Sequence, residues 1–176
     1  MMYSLEPFQL DLKGLDEGGH RFEFSLSDEY FAAIEAPDIH AGSLSVALEV
    51  HRAGDFFELD FHTEGKVVVP CDLCFDDMEQ PIVADNHMQA KFGEAYSEED
   101  EQVTVPEDKG ILDISWFVYE FIVLALPIRH VHAPGACNPA MLEALEAHSV
   151  ARDGAEEATK SVDPRWEKLE QLKLKD

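Results

Sequence analysis

The chain has 176 residues but only three cysteines, and these fall in two places. Cys71-Asp72-Leu73-Cys74 is a C-x2-C pair, and far along the chain comes His130-Val131-His132-Ala133-Pro134-Gly135-Ala136-Cys137. A C-x2-C turn presents two thiolates from one short stretch of backbone, and two donors from a remote segment can complete a tetrahedron around a metal ion. His132-x4-Cys137 has suitable reach, with Pro134-Gly135 making the bend between the ligands. The expected site is therefore Cys71, Cys74, His132 and Cys137, a closed Cys3His zinc site, with His130 as an alternative ligand. Four protein donors leave no position for water or substrate, so the zinc would be structural. Its purpose would be to pin a set of strands to the C-terminal helices.

Other chemistries fit less well. Three cysteines cannot make a disulfide framework, because pairing leaves one over. A redox role is opposed by Asp72, Asp76, Asp77 and Glu79, which are expected to raise the thiol pKa values, whereas a reactive thiolate needs cations or a helix N-terminus. His62-Thr63-Glu64 followed by Pro70-Cys71-x-x-Cys74 matches the letters of the zinc deaminase signature. In that chemistry the two halves lie on separate helices around a pocket, while here both flanks read as strand. A zinc-dependent hydrolase or deaminase is thus an alternative that requires an open coordination position. There is no glycine-rich phosphate loop, no G-x-S-x-G and no H-E-x-x-H, and no catalytic constellation stands out among the many carboxylates.

The elements that must bring Cys71 to Cys137 follow from periodicity. Phe8, Leu10 and Leu12 alternate with polar residues, as do Phe22, Phe24 and Leu26, the period of a half-buried strand. A short helix is expected before Pro37, capped by Ser27, with Phe31 and Ile34 on its apolar side. Leu44, Val46, Leu48 and Val50 make a strand, Arg52-Ala53-Gly54-Asp55 a turn, and Phe57, Leu59 and Phe61 the returning strand. Gly65 is expected to break that strand before the β-branched run Val67-Val68-Val69. Ile82, Ala84, Met88, Ala90 and Phe92 continue the alternation, with Asn86 as a polar exception. The fold class is α+β: an antiparallel twisted sheet or partial barrel of about six strands.

Residues 94–108, with Glu98, Glu99, Asp100 and Glu101 in a run, read as a solvated acidic loop. Asp113 offers an N-cap to a helix over 114–126, stopped by Pro127. Because that helix is apolar nearly all round, it is expected to be the buried one. Asn138-Pro139 and Asp163-Pro164 each start a further helix by placing a capping side chain before proline. The first helix carries Met141, Leu142 and Leu145, and the second carries Trp166, Leu169 and Leu172. The domain reading is a single α+β domain over 1–147, a polar tether over 148–162, and an amphipathic helix over 163–176.

Charge limits the partners. With 37 Asp+Glu against 13 Lys+Arg, the formal net charge is −24. DNA and RNA are repelled at long range by such a chain. The apolar stretch 114–126 is shorter than the ~20 residues of a bilayer span, and the first residues carry no basic, apolar leader. A soluble protein of a reducing compartment, the cytoplasm, is expected, with no membrane partner.

The ordered combination of Val68-Val69-Pro70-Cys71-x-x-Cys74, Ile111-Leu112-Asp113-Ile114 opening a helix, Ile122-Val123-Leu124-Ala125-Leu126-Pro127 closing it, and His132-x4-Cys137 resembles the bacterial YceD family. That family is described as large ribosomal RNA subunit accumulation proteins. Asp163-Pro164-Arg165-Trp166-x-x-Leu169 resembles a tail element of many members. The resemblance implies a cytosolic factor needed for large-subunit rRNA to accumulate, with genes often beside that of a small basic large-subunit ribosomal protein. It implies no catalytic residues. Not every member keeps all the cysteines, in keeping with a structural metal.

Joined to the charge, this points to a non-enzymatic ribosome-biogenesis factor. Its acidic surface would hold a basic ribosomal protein or assembly partner, shielding that partner's cations until RNA displaces it. Trp166, Leu169 and Leu172 would form a docking stripe for the partner. The alternative is direct RNA contact through Arg165, Lys168, Lys173 and Lys175, among which Asp163, Glu167, Glu170 and Asp176 are interleaved.

Overall fold

The computed structural model describes residues 4–99 and 102–148. The chain divides into two compact units, Met1–Leu142 and Glu143–Asp176. The expected tether and the expected helix over 163–176 lie outside the described residues, apart from His148, which ends a helix.

The first strand, β1 (Gln9–Asp11), follows a single 3-10 turn. It does not join the main sheet, as its alternation suggested it would. It pairs antiparallel with β8 (Ile111–Asp113), through Leu10 opposite Leu112, to make a separate two-stranded ribbon. Between them the chain runs as β2 (Gly18–Leu26), α1 (Asp28–Ala33), β3 (Ala41–Ala53), β4 (Phe56–Pro70), β5 (Asp77–Gly93), β6 (Ser97–Glu99) and β7 (Gln102–Pro106). After β8 come α2 (Ser115–Leu124) and α3 (Pro139–His148). The main sheet has the order β2-β3-β4-β5-β7-β6. Among the described residues no pairing joins β2 to β6, so the sheet is open and not a barrel.

Alternation gives the sheet its two faces. Leu44, Val46, Leu48 and Val50 on β3 and Phe57, Leu59 and Phe61 on β4 are buried, while Glu49, Glu58, Asp60 and His62 point to solvent. Each large apolar side chain so buried contributes roughly 1.5–3 kcal/mol. Gly54 takes the left-handed conformation (φ 66°) that the tight β3–β4 turn requires. The inner face packs on α1 through Tyr30 and Phe31 and on α2 through Val118, Tyr119 and Ile122. Tyr30 Oη donates to the Ser115 carbonyl at 2.6 Å, tying the two helices together.

Further features depart from the sequence reading. Gly65 does not break β4: the strand runs unbroken, with Gly65 between Leu44 and Ile82. Glycine is needed there because a Cβ would lie 2.3 Å from the Ser43 carbonyl oxygen and 2.6 Å from Leu44 Cα, and φ is +148°. It marks a close approach of two backbones and not a turn. The acidic segment 94–108 is not a loop but holds β6 and β7, with Val103 and Val105 buried. The β5–β7 pairing is parallel, because the chain passes outward to β6 and returns as β7 between β6 and β5. Finally, α2 buries only one side and leaves Trp116 46% and Leu124 77% exposed. The expected cap is displaced by one residue: Ile114 takes the N-cap position and makes no side-chain cap bond, while Asp113 before it accepts the Ser115 N–H at 2.9 Å. Among the described residues no helix is long and apolar enough to cross a membrane.

The two turn and contact glycines should respond differently to a methyl group. Gly65→Ala is expected to cost about 2–4 kcal/mol through clash and strain. Gly54→Ala, with nothing within 4 Å of the added Cβ, should cost only about 1 kcal/mol. Urea unfolding midpoints of the two variants check this, and equal costs would contradict the close-approach reading.

Candidate metal centre

The connection between β4 and β5 is folded by its own backbone. The Cys71 N–H donates to the Asp76 carbonyl at 2.9 Å, and the Phe75 N–H donates to the Cys71 carbonyl at 2.9 Å. Phe75 sits in the left-handed region (φ 62°) with its ring exposed, so its place here is set by the turn and not by burial. This turn aims the Leu73 N–H at Cys71 Sγ, 3.5 Å away, and buries both Cys71 and Cys74.

The second segment arrives from the end of α2 and is held at two points. Asp72 grips His130 with its backbone and side chain: the Asp72 N–H donates to the His130 carbonyl at 3.0 Å, and Asp72 Oδ2 accepts the His130 N–H at 2.7 Å. Asp72 Oδ1 also lies 3.7 Å from the His130 ring. Beyond it, Ala133-Pro134-Gly135-Ala136 closes a turn, with the Ala136 N–H donating to the Ala133 carbonyl at 2.9 Å and Gly135 at φ 83°. Proline and then a left-handed glycine are the residues a type II turn asks for. The turn places His132 and Cys137 on the same side. Asn138 then reaches back to Asp76 Oδ2 at 3.2 Å while accepting the Ala140 N–H that starts α3.

The result is one cluster. One donor atom from each of Cys71, Cys74, His132 and Cys137 lies within 4.8 Å of all the others, and the group could hold a metal ion. The Cys71 and Cys137 sulfurs are 3.9 Å apart, and His132 Nδ1 is 3.4 Å from Cys74 Sγ and 3.9 Å from Cys137 Sγ. Sulfurs at ~2.3 Å and nitrogen at ~2.0 Å from a tetrahedral centre would stand about 3.6–3.8 Å apart. A disulfide would need ~2.05 Å. The three separations of 3.4–3.9 Å are close to the edges of such a tetrahedron and far from a disulfide.

The electrostatics agree. Burial pushes the Cys71 thiol up, but the amide donors of Cys74, Leu73 and His132, with the Cys74 thiol, outweigh it and bring it down to about 6. This corrects the expectation from the acidic neighbours, because directed N–H dipoles win over more distant carboxylates. Cys137 is pushed up to about 11, first by burial and then by the Cys71 and Cys74 sulfurs beside it. Three thiolates crowded together repel one another, and a bound cation removes that cost.

His130 does not enter the cluster; its ring faces Asp72 and the Pro127 carbonyl. His62, the histidine of the deaminase-like letters, is also outside it and bonds Asp85 at 2.7 Å on the outer face of the sheet. Trp166, Leu169 and Leu172, and the cations Arg165, Lys168, Lys173 and Lys175, lie outside the described residues. The clamp by Asp72 and the Asp76–Asn138 link were missed by sequence reasoning. Nothing in an aspartate between two cysteines announces a partner so far along the chain.

A family model described as "Large ribosomal RNA subunit accumulation protein YceD" matches residues 59–173, which takes in both halves of the cluster. No curated protein and no solved structure matches the chain.

The ligand geometry separates the two histidines experimentally. Cys71→Ser, His132→Ala and Cys137→Ser should each lose bound metal and about 3 kcal/mol or more of stability, roughly 6–12 °C in Tm at this length. His130→Ala should keep full metal content. Elemental analysis and thermal melts check both, and metal retained by all three ligand variants would contradict the assignment.

Proposed function

The chain belongs to the YceD family, and from that premise we propose that it supports accumulation of large-subunit ribosomal RNA as a binding protein and not as an enzyme. The observation that carries the reading is the family match across residues 59–173. The metal in this proposal is zinc, held by three thiolates and one imidazole, the donor set of closed structural sites. With four protein donors it offers no site for turnover; it fixes the hairpin of β4 and β5 to the segment that follows α2.

The partner in this reading is a basic ribosomal or assembly protein, met in the cytoplasm. A net charge of −24 favours cationic surfaces and disfavours the RNA backbone. Part of that charge is organised: Glu49, Glu58, Asp60, Glu64 and Asp85 are all exposed on neighbouring positions of β3, β4 and β5, on the face that no helix covers among the described residues. Held against such a face, a basic protein's lysines and arginines are kept from nonspecific RNA until its own site displaces the carrier. Trp166, Leu169 and Leu172 are assigned to partner contact on sequence grounds alone.

Capture from cell extract tests this. The full chain should retain a basic protein that survives nuclease treatment and is released as salt rises from about 0.05 M to 0.5 M, where the screening length falls several-fold. Capture that disappears with nuclease would instead make RNA the partner and overturn the proposal.

A further inference from the structure

The main sheet has an incomplete edge. β5 pairs with β4 along its length from Asp77 to Lys91, but with β7 only from Gln89 to Gly93. Among the described residues, nothing pairs with the other side of β5 over residues 77–88. The direction of the backbone groups there can be read from two bonds. The Phe92 N–H donates to the Asp55 carbonyl, on the β4 side, while the Gly93 carbonyl accepts the Glu107 N–H on the β7 side. Direction alternates along a strand and the β4–β5 register has no slip, so the odd-numbered residues face the open side. Val83, Asp85 and His87 present N–H and C=O groups outward. Pro81, also odd, has no N–H to offer and ends the usable stretch, a common device on exposed edges.

Beside this edge runs a groove of about 480 Å³ between β5 and α2, with Met88, Phe117, Phe121 and Leu124 as its apolar lining and Glu98 and Glu120 at its rim. Asn86 also lines it, and its Oδ1 is buried without a hydrogen-bond partner among the described residues. A sheet edge with unpaired backbone, an apolar slot below it and carboxylates around it fits one kind of ligand. We propose that an extended, lysine- or arginine-bearing polypeptide segment adds to β5 as a further strand along Val83, Asp85 and His87. Alternate side chains of that strand enter the groove, and the others meet the acidic outer face. This rests on the reading that the partner is basic and names where and how it is held. A second copy of the chain is a poor occupant, because two edges bearing Asp85, Glu79 and Asp77 would oppose like charges.

The test uses the full chain with a terminally blocked ten-residue peptide of alternating lysine and valine. Two controls accompany it: the same peptide N-methylated at every residue, which removes the donors of both strand edges, and the same peptide with glutamate for lysine. Binding is read by calorimetry and by amide hydrogen exchange. The lysine–valine peptide should bind and slow exchange at Val83, Asp85 and His87 at least tenfold. The N-methylated peptide should bind at least tenfold more weakly, and the glutamate peptide should not bind. Val83→Pro, which removes an outward N–H and leaves the β4 ladder intact, should weaken binding similarly; the N-methylated peptide makes the test independent of how that variant folds. Equal binding of the methylated peptide would mean attraction by charge alone, overturning the added strand while leaving the basic-partner proposal in place. Slow exchange at these three amides in the peptide-free chain, a dimer formed through this edge, or no binding of the lysine–valine peptide would each overturn it as well. If edge binding holds but no basic protein is captured from extract, the proposed function fails and the strand site survives.

Discussion

Four donor atoms from two distant stretches of chain lie within 4.8 Å of one another, and the segment that follows α2 has little else to fasten it. The main sheet does not need that meeting, since its inner face is packed by aromatic and aliphatic side chains such as Phe57, Phe61 and Leu48. The segment after α2 is different. Among its described residues none from 127 to 148 is buried, and α3 buries nothing. Backbone turns and the Asp72 and Asp76 contacts orient this segment, but they are exposed or half-exposed hydrogen bonds, each of modest net worth. A cation held by the four donors would supply what the missing apolar core does not, and would close the long loop that includes β5 to β8 and α2.

The meeting of Cys71, Cys74, His132 and Cys137 was legible because metal-ligand chemistry is local in sequence: a C-x2-C pair and a His-x4-Cys pair each carry their own spacing. The choice between His130 and His132 was not legible. It turns on the Ala133–Ala136 turn, which aims one ring at the sulfurs, and on Asp72, which draws the other away. Strands were readable wherever one face is wet, as in β3 and β4, since burial imposes a period of two. Gly65 misled because glycine signals both turns and close backbone contacts, and only the neighbouring strand decides between them. β7 was hidden because its buried Val103 and Val105 sit in a context of carboxylates whose charge dominated the reading. The exposed side of α2 could not be foreseen either. An all-apolar helix predicts burial on every side, and here only the sheet side is filled.

These departures share one region. The parallel β7, the short pairing of β5 and the uncovered side of α2 together create the edge and groove that the antiparallel sheet expected from sequence would have closed. Residues that broke the local rules, including the half-buried Asn86 and the exposed Leu124, gather at that place. Such clustering is where sequence logic and binding function tend to part. The acidic outer face and the groove border each other along β5, so a partner that carries both cations and apolar side chains can use both at once.

X-ray absorption at the zinc edge of the purified full chain tests the central claim most directly. The account predicts a first shell of three sulfurs at about 2.3 Å and one nitrogen at about 2.0 Å, with no oxygen. A first shell containing a water oxygen, or fewer than three sulfurs, would contradict it: the centre would then be open, and the cluster would not be a closed structural clip for the segment after α2.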